Sequence, residues 1–391
     1  MKVREGENVK KVAIFIALMV VFANSTYATL EPKVVNMYSL PFNVEKNHPD
    51  VLLIDQSIFS AKDSAYRASN EAPHIDIEGT TTTKKNGSTE FIKFDDVTSL
   101  AMLLKKELLP QETESRVAVL EADRNALIQK LGRESADAFV RHYVAESDLQ
   151  IERLKKDIAS YEYKVALDNY NQGRLTEFQL MMANYKFKLA VVSAENAEWT
   201  YENALRDLNV SMGLDESLTS YTINSWASAE ISLEPLDFYL AGALENRLEV
   251  VVNRIEIDNL SLEKELYEGT RALKYDTATQ YDYENILLEI DLLKLESEQI
   301  KGAIIDEVTK AYNELILSME RHSGLERYAS EQFPVFENSE LNYKNGWISE
   351  VEYLKSEVER MQMEQDLTVS ELSILKSFVT FKNLTGSGYL K

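Results

Sequence analysis

The chain contains no cysteine and few residues that interrupt helices. Its 391 residues include only 7 prolines and 13 glycines, whereas 27% of them are charged. Without cysteine, the chain has neither a disulfide framework nor a thiolate metal site. So few helix breakers over this length indicate an all-α protein with long helices.

Residues that commonly carry catalysis or bind metals are also scarce. The sequence has no phosphate-binding glycine loop and no plausible pair of nucleophile and base. Its carboxylates are typical of solvated helix faces, where acidic residues lie four positions from lysine. We therefore predict that the chain is not an enzyme and has no catalytic, cofactor-binding or metal-binding residues. The four histidines lack metal-ligand spacing: His48, His74, His142 and His322.

The N-terminal segment has the pattern of an export signal. Four basic residues precede the apolar run 12–23, and Thr26-Tyr27-Ala28 supplies small residues for cleavage. We interpret residues 1–28 as a secretory signal peptide, because the apolar run is too short to span a membrane comfortably. An uncleaved N-terminal anchor is the alternative. No cysteine follows the run, which excludes a lipoprotein anchor.

The charge of the chain is strongly acidic. The formal net charge is −23, and it becomes −25 without residues 1–28, which hold four basic and two acidic side chains. Such a chain is a poor partner for nucleic acid or for an anionic bilayer surface. Its charge suits a cation-attracting lumen, although an acidic surface that keeps a helical protein soluble is the more common explanation.

The sequence repeats itself at an offset of 173 residues. Residues 161–213 align without a gap to residues 334–386, and the identities cluster around one glycine in each copy. A weaker similarity joins the segments that begin at Asn47 and Asn246. The pattern indicates a duplication. The identical pairs are Asn169 and Asn342, Tyr170 and Tyr343, Gly173 and Gly346, Glu177 and Glu350, Glu198 and Glu371, and Gly213 and Gly386.

Each repeat predicts a helical hairpin that reverses at its glycine. Gly173 and Gly346 permit the backbone reversal, since glycine adopts positive φ without strain, and Thr176 and Ser349 are placed to cap the returning helices. A separate short helix near 95–109 is expected before Pro110. The predicted helices are 49–70, about 61 residues after Pro110, 176–212, 237–266, 280–344 and 349–385.

The helix after Gly173 carries two heptad seams. They face nearly opposite sides of the helix, so a neighbour is expected on each side, as in the wall of a tube. A helix buried in a simple bundle is the alternative. The first seam comprises Met182, Tyr185, Leu189, Val192, Asn196 and Trp199. The second comprises Ala183, Phe187, Ala190, Ala194, Ala197, Tyr201, Ala204 and Leu208.

With these features the sequence resembles TolC-type outer-membrane efflux and secretion proteins. The most specific elements are "YNQGRLTEFQLMMAN" from Tyr170 and "YKNGWISEVEYLKSE" from Tyr343. The resemblance implies a homotrimer whose long coiled-coil hairpins form an α-helical tube. It also implies that the hairpin tips bind a periplasmic adaptor that works with an inner-membrane pump. The implied contact residues are Gly173, Arg174, Leu175, Thr176, Gly346, Trp347, Ile348 and Ser349.

The resemblance further implies a pore constriction just beyond the second tip. Glu352 occupies the matching position, and three copies of it would make a cation-favouring ring. A solvated surface glutamate paired with Lys355 is the alternative. One turn beyond Glu352, where some members of the family carry a second acidic residue, this chain has Lys355.

The two insertions depart from the pattern of the family. The first, 72–94, predicts a β-hairpin about the two-residue turn Asn86-Gly87, but its strands lack an apolar face. The second, around Tyr275–Tyr283, is too short for two spanning strands. We therefore expect a reduced or missing β-barrel. The protein is then expected either to rest at a membrane surface through the aromatic-rich connection near Tyr275–Tyr283 or to need another component.

We divide the chain into a signal peptide (1–28), a first repeat (29–213), a linker (214–236) and a second repeat (237–391). The expected function is an efflux or secretion conduit of the outer membrane or cell envelope. The alternative is a structural coiled-coil spacer or tether of the envelope. A third possibility, an adaptor-like component, is disfavoured because strand-rich flanks are missing.

Overall fold

The computed structural model describes residues 33–35, 37–84, 87–217, 221–223 and 231–386. The predicted signal peptide lies outside these residues. They form two units. One contains the parallel pair of strands β1 (Lys33–Val35) and β4 (Tyr221–Ile223), which the sequence analysis did not predict. The other contains all the helices and one β-hairpin.

The first half of the large unit begins with two helices separated by a break. A short 3-10 turn precedes α1 (Leu40–Asn47), and α2 (Pro49–Glu71) follows the extended residue His48. The His48 side chain accepts a hydrogen bond from the backbone N–H of Asp50 and so caps α2. Pro49 occupies the first turn of α2, where its missing N–H costs nothing.

The helix before Pro110 is not separate from the long helix after it. Helix α3 (Asp96–Leu103) continues through a π-helical turn, Leu104–Leu108, into α4 (Leu109–Asn171). The prediction of a distinct helix near 95–109 was therefore wrong. The wider π turn accommodates the proline, which lacks an N–H and crowds the preceding turn. With 63 residues, α4 is about 95 Å long.

The second half has one break more than predicted. Helix α6 (Leu236–Asn246) and helix α7 (Leu248–Glu268) are separated by the extended residue Arg247, so the prediction of a single helix over 237–266 was wrong. Gly386 packs so closely on this break that a Cβ there would lie 3.1 Å from the Cβ of Asn246.

The break at His48 has the same surroundings as the break at Arg247. A Cβ on Gly213 would lie 2.5 Å from the Cα of His48 and 2.7 Å from the carbonyl carbon of Asn47. In both halves, the glycine that follows a return helix therefore packs against the junction of two shorter helices. The similarity that begins at Asn47 and at Asn246 in the sequence marks these two junctions.

The remaining helices complete two long hairpins. Helix α5 (Glu177–Ser211) returns from the end of α4. The four-residue helix α8 (Ala272–Tyr275) leads into α9 (Thr277–Lys344), and α10 (Glu350–Leu384) returns from its end. Both return helices contain 35 residues. With 68 residues, α9 is about 100 Å long.

The hairpins pack side by side in one layer. Helix α4 lies between α5 and α10 near the reversals, and between α2 and α7 in its other half. Helix α9 packs against α10, α7 and α6. The layer therefore has α5 and α2 along one edge and α9 along the other. An apolar core joins α6, α9 and α10 through buried residues such as Tyr239, Leu315 and Phe381.

Buried polar groups connect the two helices of the first hairpin. The Ser135 hydroxyl donates to the Ser211 carbonyl at 2.7 Å. His142 is 3% exposed, its ring lies 5.4 Å from the ring of Tyr201, and burial lowers its pKa. Its Nδ1 has no hydrogen-bond partner among the residues that the structure describes. The neutral form of His142 is therefore favoured in the folded protein.

The first insertion forms the expected hairpin. Strand β2 (Gly79–Thr83) pairs antiparallel with β3 (Thr89–Lys93). Lys84 and Ser88 close the loop by a backbone hydrogen bond, and Gly87 adopts a φ of 81°. Gly87 therefore has the left-handed backbone that the predicted turn requires, whereas Asn86 lies outside the described residues. Among the described helices, none is both long and apolar enough to cross a membrane.

Candidate functional site

The first candidate surface is the tip of the first hairpin. After α4 ends at Asn171, the N–H of Gly173 donates to the carbonyl of Tyr170, and the N–H of Arg174 donates to that of Asn169, both at 2.8 Å. Gly173 has a φ of 72°. This is a Schellman arrangement, in which a left-handed glycine satisfies the last carbonyl groups of the helix.

The tip of the second hairpin repeats this geometry. The N–H of Gly346 donates to Tyr343 at 2.9 Å, and that of Trp347 donates to Asn342 at 2.8 Å. Gly346 has a φ of 74°. Apart from the glycine's own chain neighbours, no atom of the described residues lies within 4 Å of a Cβ built on either tip glycine, so both reversals project into open space.

Each return helix starts with a capping box. The Thr176 hydroxyl accepts from the N–H of Gln179, and the Gln179 side chain accepts from the N–H of Thr176. Ser349 and Glu352 make the same reciprocal pair in the second hairpin. The predicted capping roles of Thr176 and Ser349 are confirmed. Two capped, glycine-terminated tips place short, well-ordered loops at one end of the layer.

The side chains at the tips are suited to contacts with another molecule. Trp347 is 76% exposed, Arg174 is also exposed, and Leu175 and Ile348 are half-buried. Tryptophan and arginine are the residue types that most often anchor protein interfaces. The structure therefore presents an anchoring side chain at each tip.

The carboxylate of Glu352 takes part in the capping box of the second return helix. It accepts hydrogen bonds of 2.8 Å from both the backbone N–H and the hydroxyl of Ser349. These bonds, the backbone one first, hold the pKa of Glu352 below its ordinary value. Glu352 is therefore anionic near neutral pH. Sequence reasoning missed this role, although Ser-x-x-Glu before a helix is its usual signal.

Lys355 does not form the ion pair with Glu352 that the alternative interpretation of Glu352 required. Its ammonium group lies 2.6 Å from Glu162 of α4 and so links the two hairpins. Gln365 makes a similar link to Asp148 at 2.8 Å. Between them lies an apolar cluster that includes Ile158 and Val358. The tip halves of the two hairpins are thus held together by packing and by polar links.

The two seams of α5 have different surroundings. The second seam packs against α4, and its members are buried or half-buried, with Ala194 and Leu208 fully enclosed. The apolar members of the first seam are 42–70% exposed, with Met182 the least and Trp199 the most. The prediction of two opposed seams is confirmed, and one of them has no partner within the described chain.

A second unpartnered stripe runs along α9 on the opposite edge of the layer. Sequence reasoning missed it, because glycines and polar residues interrupt its heptad pattern. Gly302 and Gly324 lie on this stripe, and nothing is within 4 Å of a Cβ built on either. The layer therefore exposes an apolar stripe at each edge. The large exposed side chains of the α9 stripe are Tyr281, Leu288, Leu292, Leu295, Leu317, Tyr328 and Val335.

The described residues contain no group of three or more side chains suited to hold a metal ion.

Comparison with known proteins gives a structural result only. Neither a scan against protein-family models nor a search of curated proteins finds a match. Solved structures match over nearly the whole chain. The outer-membrane channel CmeC of Campylobacter jejuni has a TM-score of 0.63 at 10% identity, and the match covers 93% of this chain and 90% of CmeC.

Two further channels give the same result. VceC of Vibrio cholerae has a TM-score of 0.57 at 10% identity over 90% of this chain and 97% of VceC. The open state of MtrE of Neisseria gonorrhoeae has a TM-score of 0.54 at 11% identity over 91% and 89%. The helical layer, the paired tips and these matches agree: the chain has the TolC-type fold of outer-membrane channels.

Proposed function

We propose that three copies of this chain close into a helical conduit that serves efflux or secretion across the cell envelope. The observation that carries the proposal is the pair of unpartnered apolar stripes on opposite edges of one layer. A contact between different edges of identical copies is heterologous, and such contacts generate closed rings when the rotation allows. The number three comes from the resemblance to TolC-type proteins.

The energetic reason for assembly is the burial of these stripes. Side chains such as Leu189, Val192 and Trp199 stay in water in a single copy. Burying one large apolar side chain contributes about 1.5–3 kcal/mol. Each edge carries several of them, so docking of α5 and α2 of one copy on α9 of the next is favourable along most of the length of the layer.

The tips are the proposed docking site for a periplasmic adaptor that works with an inner-membrane pump. Support comes from the exposed side chains of Arg174 and Trp347 and from the open space around both glycines. The proposed contacts are Gly173 to Thr176 and Gly346 to Ser349. Glu352 is the proposed constriction residue. Three anionic copies of it near one axis would favour cations.

The domain division is part of the same proposal. The two halves share their tip hydrogen bonds, their capping boxes and the packing of Gly213 and Gly386 on a helix junction. This shared geometry supports a duplicated architecture with the first repeat at 29–213 and the second at 237–391. Residues 1–28 would direct export as a signal peptide.

The test introduces charged side chains into the apolar stripe of one edge of the layer at a time. Leu189→Glu with Val192→Glu places charge in the α5 stripe, and Leu292→Glu with Leu295→Glu does so in the α9 stripe. Each double variant should remain helical but monomeric, because these side chains are exposed within one chain. Mixing the two variants should give dimers, since one intact edge remains on each partner. Lys186→Glu, on an exposed part of α5 outside the seam, is the matched control and should assemble normally.

Two outcomes would overturn the proposal. One is normal assembly of either edge variant, which would mean that the stripes are not the contact. The other is a mixture that stays monomeric although each variant alone is folded, which would exclude a heterologous contact between the two edges.

A second candidate function is that of a spacer or tether in the envelope. The observation that favours it is the small size of the two insertions: β2 and β3 contain five residues each, and α8 contains four. A spacer needs the rods but no passage. Export of a pump substrate, measured with the chain present and deleted, separates the candidates, because only a conduit is required for transport.

A further inference from the structure

The two hairpins of one chain meet along a seam between α4 of the first half and α10 of the second. A long helix that runs toward one tip thus packs against a return helix that leaves the other tip. Because the halves repeat at an offset of 173 residues, α9 is the equivalent of α4, and α5 is the equivalent of α10. Three polar links cross the seam, and they join Lys355 to Glu162, Gln365 to Asp148, and Lys376 to Asp137.

The equivalent of the α10 side of this seam is uncovered on α5. Val358 of α10 is 8% exposed and belongs to the apolar cluster at the seam, whereas its counterpart on α5, Tyr185, is 57% exposed. Val351 and Leu354 are half-buried against the same cluster. Their counterparts Phe178 and Met181 are exposed.

The equivalent of the α4 side is uncovered on α9. Ile151 of α4 is 2% exposed within the cluster, but no atom of another described helix lies within 4 Å of a Cβ built on its counterpart, Gly324. The carbonyl group of Val144 accepts a hydrogen bond from Gln365, whereas its counterpart Leu317 is 44% exposed. Each edge of the layer therefore presents one side of a contact whose two sides already meet inside the chain.

The residue types on the two edges change together where a charged pair is lost. Within the chain, Lys355 and Glu162 form an ion pair at 2.6 Å. Their counterparts are Met182 on α5 and Val335 on α9, and both are exposed apolar side chains. A cation and its carboxylate are thus replaced by two groups that also suit each other, since burial of both removes apolar surface from water.

The opposite change occurs where an apolar pair is lost. Met361 of α10 packs against the cluster that contains Ile158 of α4. Their counterparts are Lys188 on α5 and Glu331 on α9, which are exposed and carry opposite charges. Arg327, another exposed cation of α9, lies four residues from Glu331, so this carboxylate is placed between two cations.

The other two links have counterparts that are compatible with each other. Val192 and Arg321 replace Gln365 and Asp148, and the aliphatic stem of an arginine packs on an apolar side chain. Asn203 and Lys310 replace Lys376 and Asp137, and an amide oxygen accepts a hydrogen bond from an ammonium group.

The mixed pairings are less favourable. If α10 of one copy packed on α9 of another, Lys376 would face Lys310. If α5 packed on α4, the carboxylate of Glu162 would be enclosed against Met182 without a cation. Like charges and unpaired buried charges both disfavour a contact. The residues of α5 therefore suit α9 better than they suit α4.

We propose that the contact between copies repeats the contact within the chain, with α9 of one copy in the role of α4 and α5 of the next copy in the role of α10. Met182 then lies against Val335 of the neighbouring copy, and Lys188 lies beside its Glu331. The proposal rests on the proposed conduit function and deepens it, because it names the residues that meet and so fixes the register of the two helices.

The test rebuilds the internal ion pair between copies. Met182→Lys alone and Val335→Glu alone should each raise the concentration at which half of the chains are assembled at least about tenfold, because each encloses a charge without a partner. Met182→Lys combined with Val335→Glu in one chain should return this concentration close to that of the unaltered protein. The measurement is light scattering over a dilution series, with helical content checked by circular dichroism.

The matched control places the same two charges out of register. Met182→Lys with Tyr328→Glu moves the carboxylate by seven residues, about 10 Å along α9, and should assemble as poorly as Met182→Lys alone. No recovery in the first pair, or equal recovery in the second, would overturn the proposed register while the unaltered chain still assembles, so the conduit function would stand. An unaltered chain that never assembles would overturn both.

Discussion

Five glycines of the described chain have positive φ, and four of them mark the ends of the hairpin helices. Their surroundings differ, which makes their replacement by alanine a graded test of the architecture. At Gly173 and Gly346 a Cβ meets nothing within 4 Å. Replacing either glycine by alanine should lower the free energy of unfolding only by the strain of a left-handed backbone, about 1–2 kcal/mol.

Alanine at Gly213 should cost considerably more. Its Cβ would lie 2.5 Å from the Cα of His48 and 2.7 Å from the carbonyl oxygen of Asn47. These are backbone atoms, so α5 and the α1–α2 junction must move apart. Forcing extra atoms into a packed site costs about 1–3 kcal/mol. Added to the backbone strain, the loss for Gly213→Ala should be about 2–5 kcal/mol.

The loss of stability for Gly386→Ala should lie between those for the tip glycines and for Gly213, because the nearest contacts of a Cβ on Gly386 are 3.1–3.3 Å away. The assay is urea unfolding followed by circular dichroism, with the protein concentration fixed because assembly adds to apparent stability. The expected order of destabilisation is Gly213→Ala, then Gly386→Ala, then the two tip variants. Equal losses at all four positions would refute the packing of return helices on the helix junctions.

Three further predictions concern the tips and the buried histidine. Arg174→Ala and Trp347→Ala should leave the unfolding midpoint nearly unchanged and weaken adaptor binding in a pull-down; a large loss of stability would show that the tips are buried. Ser349→Ala should cost about 1 kcal/mol by removing a capping box, measurable as a lower urea midpoint, and an unchanged midpoint would contradict that role. Burial lowers the pKa of His142, so only the unfolded chain takes up a proton as pH first falls below about 6.5, and stability should drop there. His142→Phe should flatten this dependence in unfolding curves at pH 7 and pH 5.5, and an unchanged dependence would contradict the burial of a neutral imidazole.

The long hairpins were predictable because their signals are local. A tip needs one glycine with positive φ followed by a capping residue, and both are visible in the sequence around Gly173 and Gly346. The seams of α5 follow from a regular heptad. These features depend on the backbone geometry of a few consecutive residues, so no knowledge of distant contacts was required.

The missed features depend on contacts between distant segments. The segment 237–266 contains no proline, its glycine, Gly242, lies inside α6, and the break at Arg247 coincides with the packing of Gly386 on it. The only available signal was the similarity between the segments at Asn47 and Asn246. A pair between Lys355 and Glu352 was one of two alternatives for Glu352, but the packing of the hairpins brings Lys355 to Glu162 instead. The stripe on α9 was not predicted, because glycines occupy positions that hold apolar side chains in a regular heptad pattern.

The central claim is that the two exposed edges join identical copies into a ring of three. The direct measurement is the mass of the purified protein by light scattering, in a detergent that preserves its helicity, across micromolar concentrations. We predict a single species near three times the mass of one chain, which is 44.7 kDa for the full sequence. A mass corresponding to one chain at every concentration would contradict the claim.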